Sequence, residues 1–207
     1  MSALIIGLTG GIASGKSAAT AAFEARGITV ADADLAARDA VAPGSAGLAE
    51  VVEAFGTDAL TVDGHLDRAA MRRRIFEDPR ARRRLEAIIH PRVRRMLREA
   101  CEAATSAYAV AAIPLLAEGG RDAYPWLHRV LVIDVPADVQ MARLRARDGI
   151  DDALAARMVA AQASRDARLA IADDVLVNDG TLEALDTGVA ALDARYRELA
   201  SAASSQA

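Results

Sequence analysis

The chain has 207 residues, 25 Lys and Arg against 29 Asp and Glu, a formal net charge of −4 and a single cysteine, Cys101. That length suits one α/β domain with room for a helical insertion, and the negative balance offers no global basic field to draw in nucleic acid or a membrane. One cysteine excludes an intrachain disulfide, and no apolar stretch approaches the ~20 residues that span a bilayer, so a soluble cytoplasmic chain in a reducing compartment is expected.

Leu4, Ile5, Ile6 and Leu8 form a short apolar run of the kind that makes a buried parallel strand. It ends at Gly7 to Gly11, too early for a signal-peptide core. Gly10, Gly11, Ile12, Ala13, Ser14, Gly15, Lys16 and Ser17 then match Gly-x-x-x-x-Gly-Lys-Ser/Thr. An alanine-rich helix over 17–26 follows and stops at Gly27. Strand, glycine loop and helix form the setting that a phosphate-binding loop requires.

Ile28, Thr29 and Val30 make a second strand ending in Asp32, Ala33 and Asp34. Short helices are expected over 35–41, 48–55, 67–76 and 78–89, with Asp67 and Asp78 as caps. His90 and Pro91 interrupt, and a further helix runs to about 104. Strands are expected over 108–113, 130–135 and 175–177, with helices over 139–147 and 153–163 between the last two. A C-terminal helix ends near 199, and the tail 201–207 reads as frayed. Five apolar strands alternating with helices indicate an α/β fold, a doubly wound, mainly parallel five-stranded sheet; the glycine loop adds the P-loop NTPase type, and the resemblance described below implies that it is nucleotide-kinase-like. A single domain is expected, with its core in 1–45, 105–136 and 172–200. A helical substrate-binding region falls in 46–104 and a lid in 137–171.

The chemistry starts at the loop. Successive backbone N–H groups of Gly11, Ala13, Ser14 and Gly15 can turn around a phosphate, and the helix N-terminus adds partial positive charge. Lys16 is the only lysine in the chain; where charge alone suffices the sequence uses arginine, so a compact ammonium on a flexible stem is required here. Ser17 is the candidate Mg²⁺ ligand. No Asp-x-x-Gly occurs, and an Asn-Lys-x-Asp base-reading motif is impossible with Lys16 the sole lysine, which removes the GTPase reading. The third strand ends in Ala112, Ile113 and Pro114 without the carboxylate that motor ATPases carry there. Small-molecule kinases remain, with ATP and Mg²⁺ as the implied cofactors.

For a kinase, a carboxylate should stand at the end of the second strand, because ligands bind at that edge of such sheets. Asp34 is either the general base for an attacking hydroxyl or the N-cap of the following helix. Asp32 either supports Mg²⁺ through water or closes the strand. Arg143 and Arg147, four apart on one helix, either face the transferring phosphoryl or form a solvated face. The arginines at 72–74 and 82–84, with Arg92, Arg94, Arg95 and Arg98, resemble a nucleic-acid patch, but scarce aromatics, interspersed acids and the net charge oppose it. His90 is a buried structural histidine or a substrate contact. His65 and His128 lack partners at metal-ligand spacing.

In order, the stretch from Gly7 to Ser17, Asp32-Ala-Asp34 with Arg38, His90-Pro91, Pro114-Leu-Leu-Ala-Glu118, and 130–136 followed by Gln140, Arg143, Arg147 and Asp148 resemble the dephospho-CoA kinase family. Arg157, Gln162, Arg165 and the run 173–180 complete the resemblance, which covers about residues 3–200. It implies transfer of the ATP γ-phosphate to the 3′-hydroxyl of dephospho-CoA. By position, Asp34 resembles the base, Lys16 the phosphate lysine and Arg143 the lid arginine. Asp32, Arg38, His90, Leu115 and Glu118 look like acceptor-side residues, and Asn178 falls near adenine. Ala13, where the family has glycine, is tolerable only with φ below zero; Ala18, where threonine is common, loses one possible phosphate contact. The implied partners are ATP and dephospho-CoA, with no nucleic acid or membrane, in a monomer or weak homo-oligomer. Alternatives are a kinase of another small alcohol, such as a nucleoside, and a non-catalytic ATP-responsive protein.

Overall fold

The computed structural model describes residues 4–205. Its sheet has five strands in the order β2-β3-β1-β4-β5, namely β1 (Ile5–Gly10), β2 (Thr29–Asp32), β3 (Ala109–Ala112), β4 (Arg129–Asp134) and β5 (Asp174–Val177). β1 pairs in parallel with β3 on one side and β4 on the other, and β4 with β5. All six residues of β1 and all four of β3 are buried, as expected of strands covered on both faces.

Helix α1 (Lys16–Glu24) and the long C-terminal helix α10 (Leu182–Ser204) contribute to one apolar core. Phe23, Tyr108 and Tyr196 meet edge to face, with ring centroids 6.3 and 5.4 Å apart, the arrangement that aromatic quadrupoles favour. Their buried hydroxyls are satisfied: Tyr108 donates to Asp193 Oδ1 at 2.8 Å and Tyr196 to Asp174 Oδ2 at 3.0 Å. α10 continues through 201–204, where fraying was expected, because Tyr196 and Ala200 carry its buried face onward. Residues 206 and 207 lie outside the described residues.

The chain divides into two compact units, one from Asp32 to Glu99 and the other from the remainder. The helical unit therefore begins at Asp32, earlier than the 46 read from sequence, and takes in α2 (Ala33–Asp39). With α3 (Ala46–Phe55), α4 (Arg68–Glu77) and most of α5 (Pro79–Glu102) it builds its own core around Leu48, Val51, Phe55, Met71, Leu85 and Ile88. Several of its arginines have structural partners. The Arg74 guanidinium lies 5.0 Å from the Phe55 ring centroid and donates to Phe55 O, Arg84 lies 5.8 Å from the same ring, and Arg92 pairs with Glu50.

One expected break is absent. α5 runs unbroken through Pro91, although a proline removes one backbone donor from a helix interior. In that turn Arg92 Nη1 donates to Ile88 O at 2.6 Å, and Ile88, Val93 and Leu97 are buried on one side. Burial of that face outweighs the local preference to stop.

Candidate active site

The loop between β1 and α1 is built by close approach. Gly15 holds φ 94° as the N-cap of α1, with no side-chain cap on the helix, so orphan N–H groups of the first turn face outward as an anion site. A Cβ added at Gly10 would lie 2.5 Å from Ile133 O, one at Gly11 would lie 2.6 Å from Gln140 Nε2, and one at Gly15 would collide with Asn178 Nδ2. Lys16 Nζ donates to Gly10 O at 2.7 Å and Gly11 O at 2.9 Å. Its ammonium thus stands folded over the loop. The Ser17 hydroxyl is exposed at the second position of α1, and Ala18 is half-buried behind it.

Ala13 overturns an expectation. Its φ is 56°, the positive value that only glycine adopts freely, and it is the only non-glycine residue of that kind among the described residues. The methyl group costs about 1–2 kcal/mol there. The surrounding hydrogen bonds explain how the conformation persists. Gln162 Oε1 accepts from Ile12 N–H at 2.7 Å, Gln140 Nε2 donates to Ile12 O at 2.8 Å, and Asn178 Nδ2 donates to Ser14 O at 2.8 Å.

Asn178, expected near adenine, is thus buried with its amide on the loop backbone. Arg143, on α7 (Ala137–Asp148), donates to Asn178 O at 2.7 Å and Gly180 O at 3.2 Å. Arg147 forks onto its neighbour Asp148 at 2.7 and 2.9 Å. Arg143 is half-buried on those carbonyls, whereas Arg147 is exposed on the helix surface beside its partner. Leu115 is exposed just before α6 (Leu116–Gly119), and Glu118 Oε1 accepts from Ala163 N–H at 2.8 Å, which joins it to the turn after α8 (Asp152–Ala160).

β1 also has a carboxylate neighbour that the third-strand reading missed. Asp134 ends β4, on the other side of β1 from β3. It is not open to a metal as it stands: Arg165, at the start of α9 (Arg165–Ala170), binds it through Nε at 3.0 and 3.1 Å and Nη2 at 2.6 Å. The Arg165 hydrogen bonds hold the Asp134 carboxyl below the usual carboxylate range despite its burial. Arg168, buried one turn further on, lies against Gly11 and donates to Ala163 O. Gln140 and Gln162 belonged to the family resemblance without a role, since their partners are backbone groups far away in sequence, and Arg168, which donates to a carbonyl five residues back, carried no signal beyond its charge.

Within the helical unit, Asp32 is the N-cap of α2, accepting from Asp34 N–H at 2.7 Å and Leu35 N–H at 3.1 Å. The capping role weighed for Asp34 therefore belongs to Asp32. The Asp34 carboxylate is exposed in the first turn and takes no hydrogen bond from the described residues. Arg38 lines a pocket of about 260 Å³ with Val41, Pro43, His65, Leu66 and Arg68. His90 is exposed on α5, so a buried structural role is excluded.

A parallel sheet with a Gly-Lys-Ser loop between its central strand and the first helix defines the P-loop kinase class. The structure of a shikimate kinase from Bacteroides thetaiotaomicron shares this fold at a TM-score of 0.56 and 16% identity, covering 91% of this chain and 96% of that one. Within that class the chain belongs to the dephospho-CoA kinase family, whose model matches residues 4–184. A dephospho-CoA kinase of Xanthomonas oryzae pv. oryzae is 56% identical over 198 residues, 95% of this chain and 98% of that protein. One from Xylella fastidiosa is 52% identical over 202 residues, 97% of each. Among solved structures, TT1252 from Thermus thermophilus has a TM-score of 0.77 at 33% identity, covering 93% of this chain and 97% of its own.

Proposed function

We propose that this chain transfers the γ-phosphoryl group of ATP to the 3′-hydroxyl of dephospho-CoA, giving coenzyme A and ADP. The observation that carries this reading is the Lys16 ammonium folded over a glycine loop at an uncapped helix N-terminus, in a chain matched by the family model over 4–184. Lys16 exchanges the Gly10 and Gly11 carbonyls for the β- and γ-phosphates, and the loop N–H groups hold the remaining oxygens. Mg²⁺ arriving with the nucleotide would take the Ser17 hydroxyl as its ligand from the chain and neutralise phosphate charge. Among the described residues no cluster of three His, Cys, Asp or Glu side chains is placed to hold a metal alone, which suits an ion shared with phosphates.

Asp34 orients the acceptor hydroxyl and takes its proton. Support comes from its exposed, unengaged carboxylate just past the end of β2, with Asp32 occupied as the cap. Arg143 stabilises charge on the migrating phosphoryl, and Arg147 assists at the nucleotide. Arg38, His90, Leu115 and Glu118 serve the acceptor. No helix among the described residues is long and apolar enough to cross a membrane.

The test is a coupled assay of ADP release with Mg-ATP and dephospho-CoA, run beside a nucleoside and nucleotide panel. Release that depends on dephospho-CoA supports the reading; release driven by another alcohol, or ATP binding without release, replaces it. Asp34→Asn should slow turnover ~10²–10⁴-fold with ATP affinity nearly unchanged, and normal turnover would remove Asp34 from the mechanism.

A further inference from the structure

Ile12 is gripped by both of its backbone polar groups. Gln162 Oε1 takes its N–H and Gln140 Nε2 feeds its carbonyl, at 2.7 and 2.8 Å. Two residues on, Ser14 O accepts from Asn178 Nδ2 at 2.8 Å. Between these grips lies Ala13 with φ 56°. Left to itself, an alanine disfavours that region by about 5- to 30-fold. Each net hydrogen bond favours the structure that makes it by about 2- to 13-fold, so three of them together offset the alanine penalty over most of that range, and one alone does not.

The grips are themselves braced. Gln140 is 3% exposed on α7, so its amide has no solvent alternative. Gln162 lies in the turn between α8 and α9, where the next residue is held through both backbone groups: Ala163 N–H donates to Glu118 Oε1 at 2.8 Å, and Ala163 O accepts from the buried Arg168. The braces come from separate elements and converge on one residue of the loop, Ile12.

We infer that Gln140 and Gln162 are positioning residues for nucleotide binding: they hold the Ile12 backbone so that, with Asn178, Ala13 stays left-handed and the loop N–H groups stay turned toward phosphate. This rests on the reading of the loop as the phosphate site. Because the loop shape serves substrate and transition state alike, its loss raises the nucleotide dissociation constant and leaves kcat nearly unchanged.

The experiment uses Gln140→Met and Gln162→Met, which keep side-chain length and remove only the amide, in the full chain. Affinity for Mg-ADP is measured by calorimetric titration with no acceptor present. Each variant should weaken ADP binding about 3- to 10-fold, with kcat at saturating ATP within about 2-fold of the parent. In an Ala13→Gly background, where the left-handed conformation carries no steric penalty, the loss caused by either substitution should shrink to less than half. Unchanged ADP affinity in both Met variants overturns the inference. So does a loss of equal size in both backgrounds, or a fall in kcat with affinity intact, because the amides would then support the fold without setting the loop. Should one variant fail to fold, the other carries the test. A parent chain that binds ADP and shows this pattern but ignores dephospho-CoA would retain the inference while overturning the proposed activity.

Discussion

Arg143 Nη1 donates to Asn178 O at 2.7 Å, and the same Asn178 donates from its side chain to Ser14 O at 2.8 Å. The arginine assigned to the migrating phosphoryl is therefore bound, in this structure, to the residue that holds the phosphate loop. Arg143→Ala should lower kcat ~10²-fold or more if the guanidinium meets developing charge, with Mg-ADP affinity changed far less. Single-turnover kinetics with Mg-ATP checks this, and a kcat close to the parent's would make Arg143 a brace for residues 178–180 and nothing more.

Lys16 Nζ reaches two carbonyls at 2.7 and 2.9 Å on a half-buried stem. A planar guanidinium is wider and cannot make both contacts from the same place. Lys16→Ala and Lys16→Arg are both expected to reduce turnover ~10²-fold or more, although the second keeps the charge. Steady-state assay of the purified variants decides it, and near-parental rates for Lys16→Arg would show that charge alone is sufficient.

Cys101 is fully buried, and burial, with a smaller contribution from Glu102, pushes its thiol up to about 12. The thiolate is the reactive species, so the native protein at pH 8 should be inert to a chromogenic disulfide reagent. It should react rapidly once unfolded in urea. Fast labelling of the native chain would mean that the last turn of α5 opens locally.

Asp174, with a side chain 2% exposed, accepts from Arg129 at 2.8 Å, Arg195 at 2.6 Å and Tyr196 at 3.0 Å. Burial by itself would raise this carboxyl, but the hydrogen bonds from Arg129 and Tyr196 and the two cationic charges outweigh it and hold the group below the ordinary range. A lowered folded value means the stabilisation is complete above the unfolded value, about 3.9, and is lost as pH falls through the folded one. Asp134, held low by Arg165, acts with the same sign. The thermal midpoint should therefore fall below about pH 4. Asp174→Asn should be destabilised at pH 7 by about 3 kcal/mol, the lower end for a broken buried pair, and should show a shallower acid slope. A variant with the parent's acid slope would remove Asp174 from the linkage.

Several parts of the fold were legible from local pattern. β1 and β4 are apolar runs that can be stable only when covered, and the glycine loop between a strand and an alanine-rich helix has few other meanings. The order of motifs along the chain named the family that the comparisons then showed. The break expected at Pro91 was not real, because the proline rule is local and the buried face of Ile88, Val93 and Leu97 is not. The cap of α2 shifted from Asp34 to Asp32 for a related reason: a helix start is set by which residue first turns, and two aspartates of equal chemistry compete for it.

What the sequence determined by itself was chemistry that depends on residue type and spacing: a phosphate loop with the chain's only lysine, a carboxylate after the second strand, and central strands buried on both faces, although the last strand leaves Val175 and Val177 exposed. What the tertiary structure alone decided was which backbone groups those side chains meet. Ala13 adopts φ 56° against its own preference because amides 128 and 150 residues away hold Ile12 and a third, 164 residues away, holds Ser14. No local pattern encodes a hydrogen bond between a glutamine and a distant peptide; only the folded chain brings the two together.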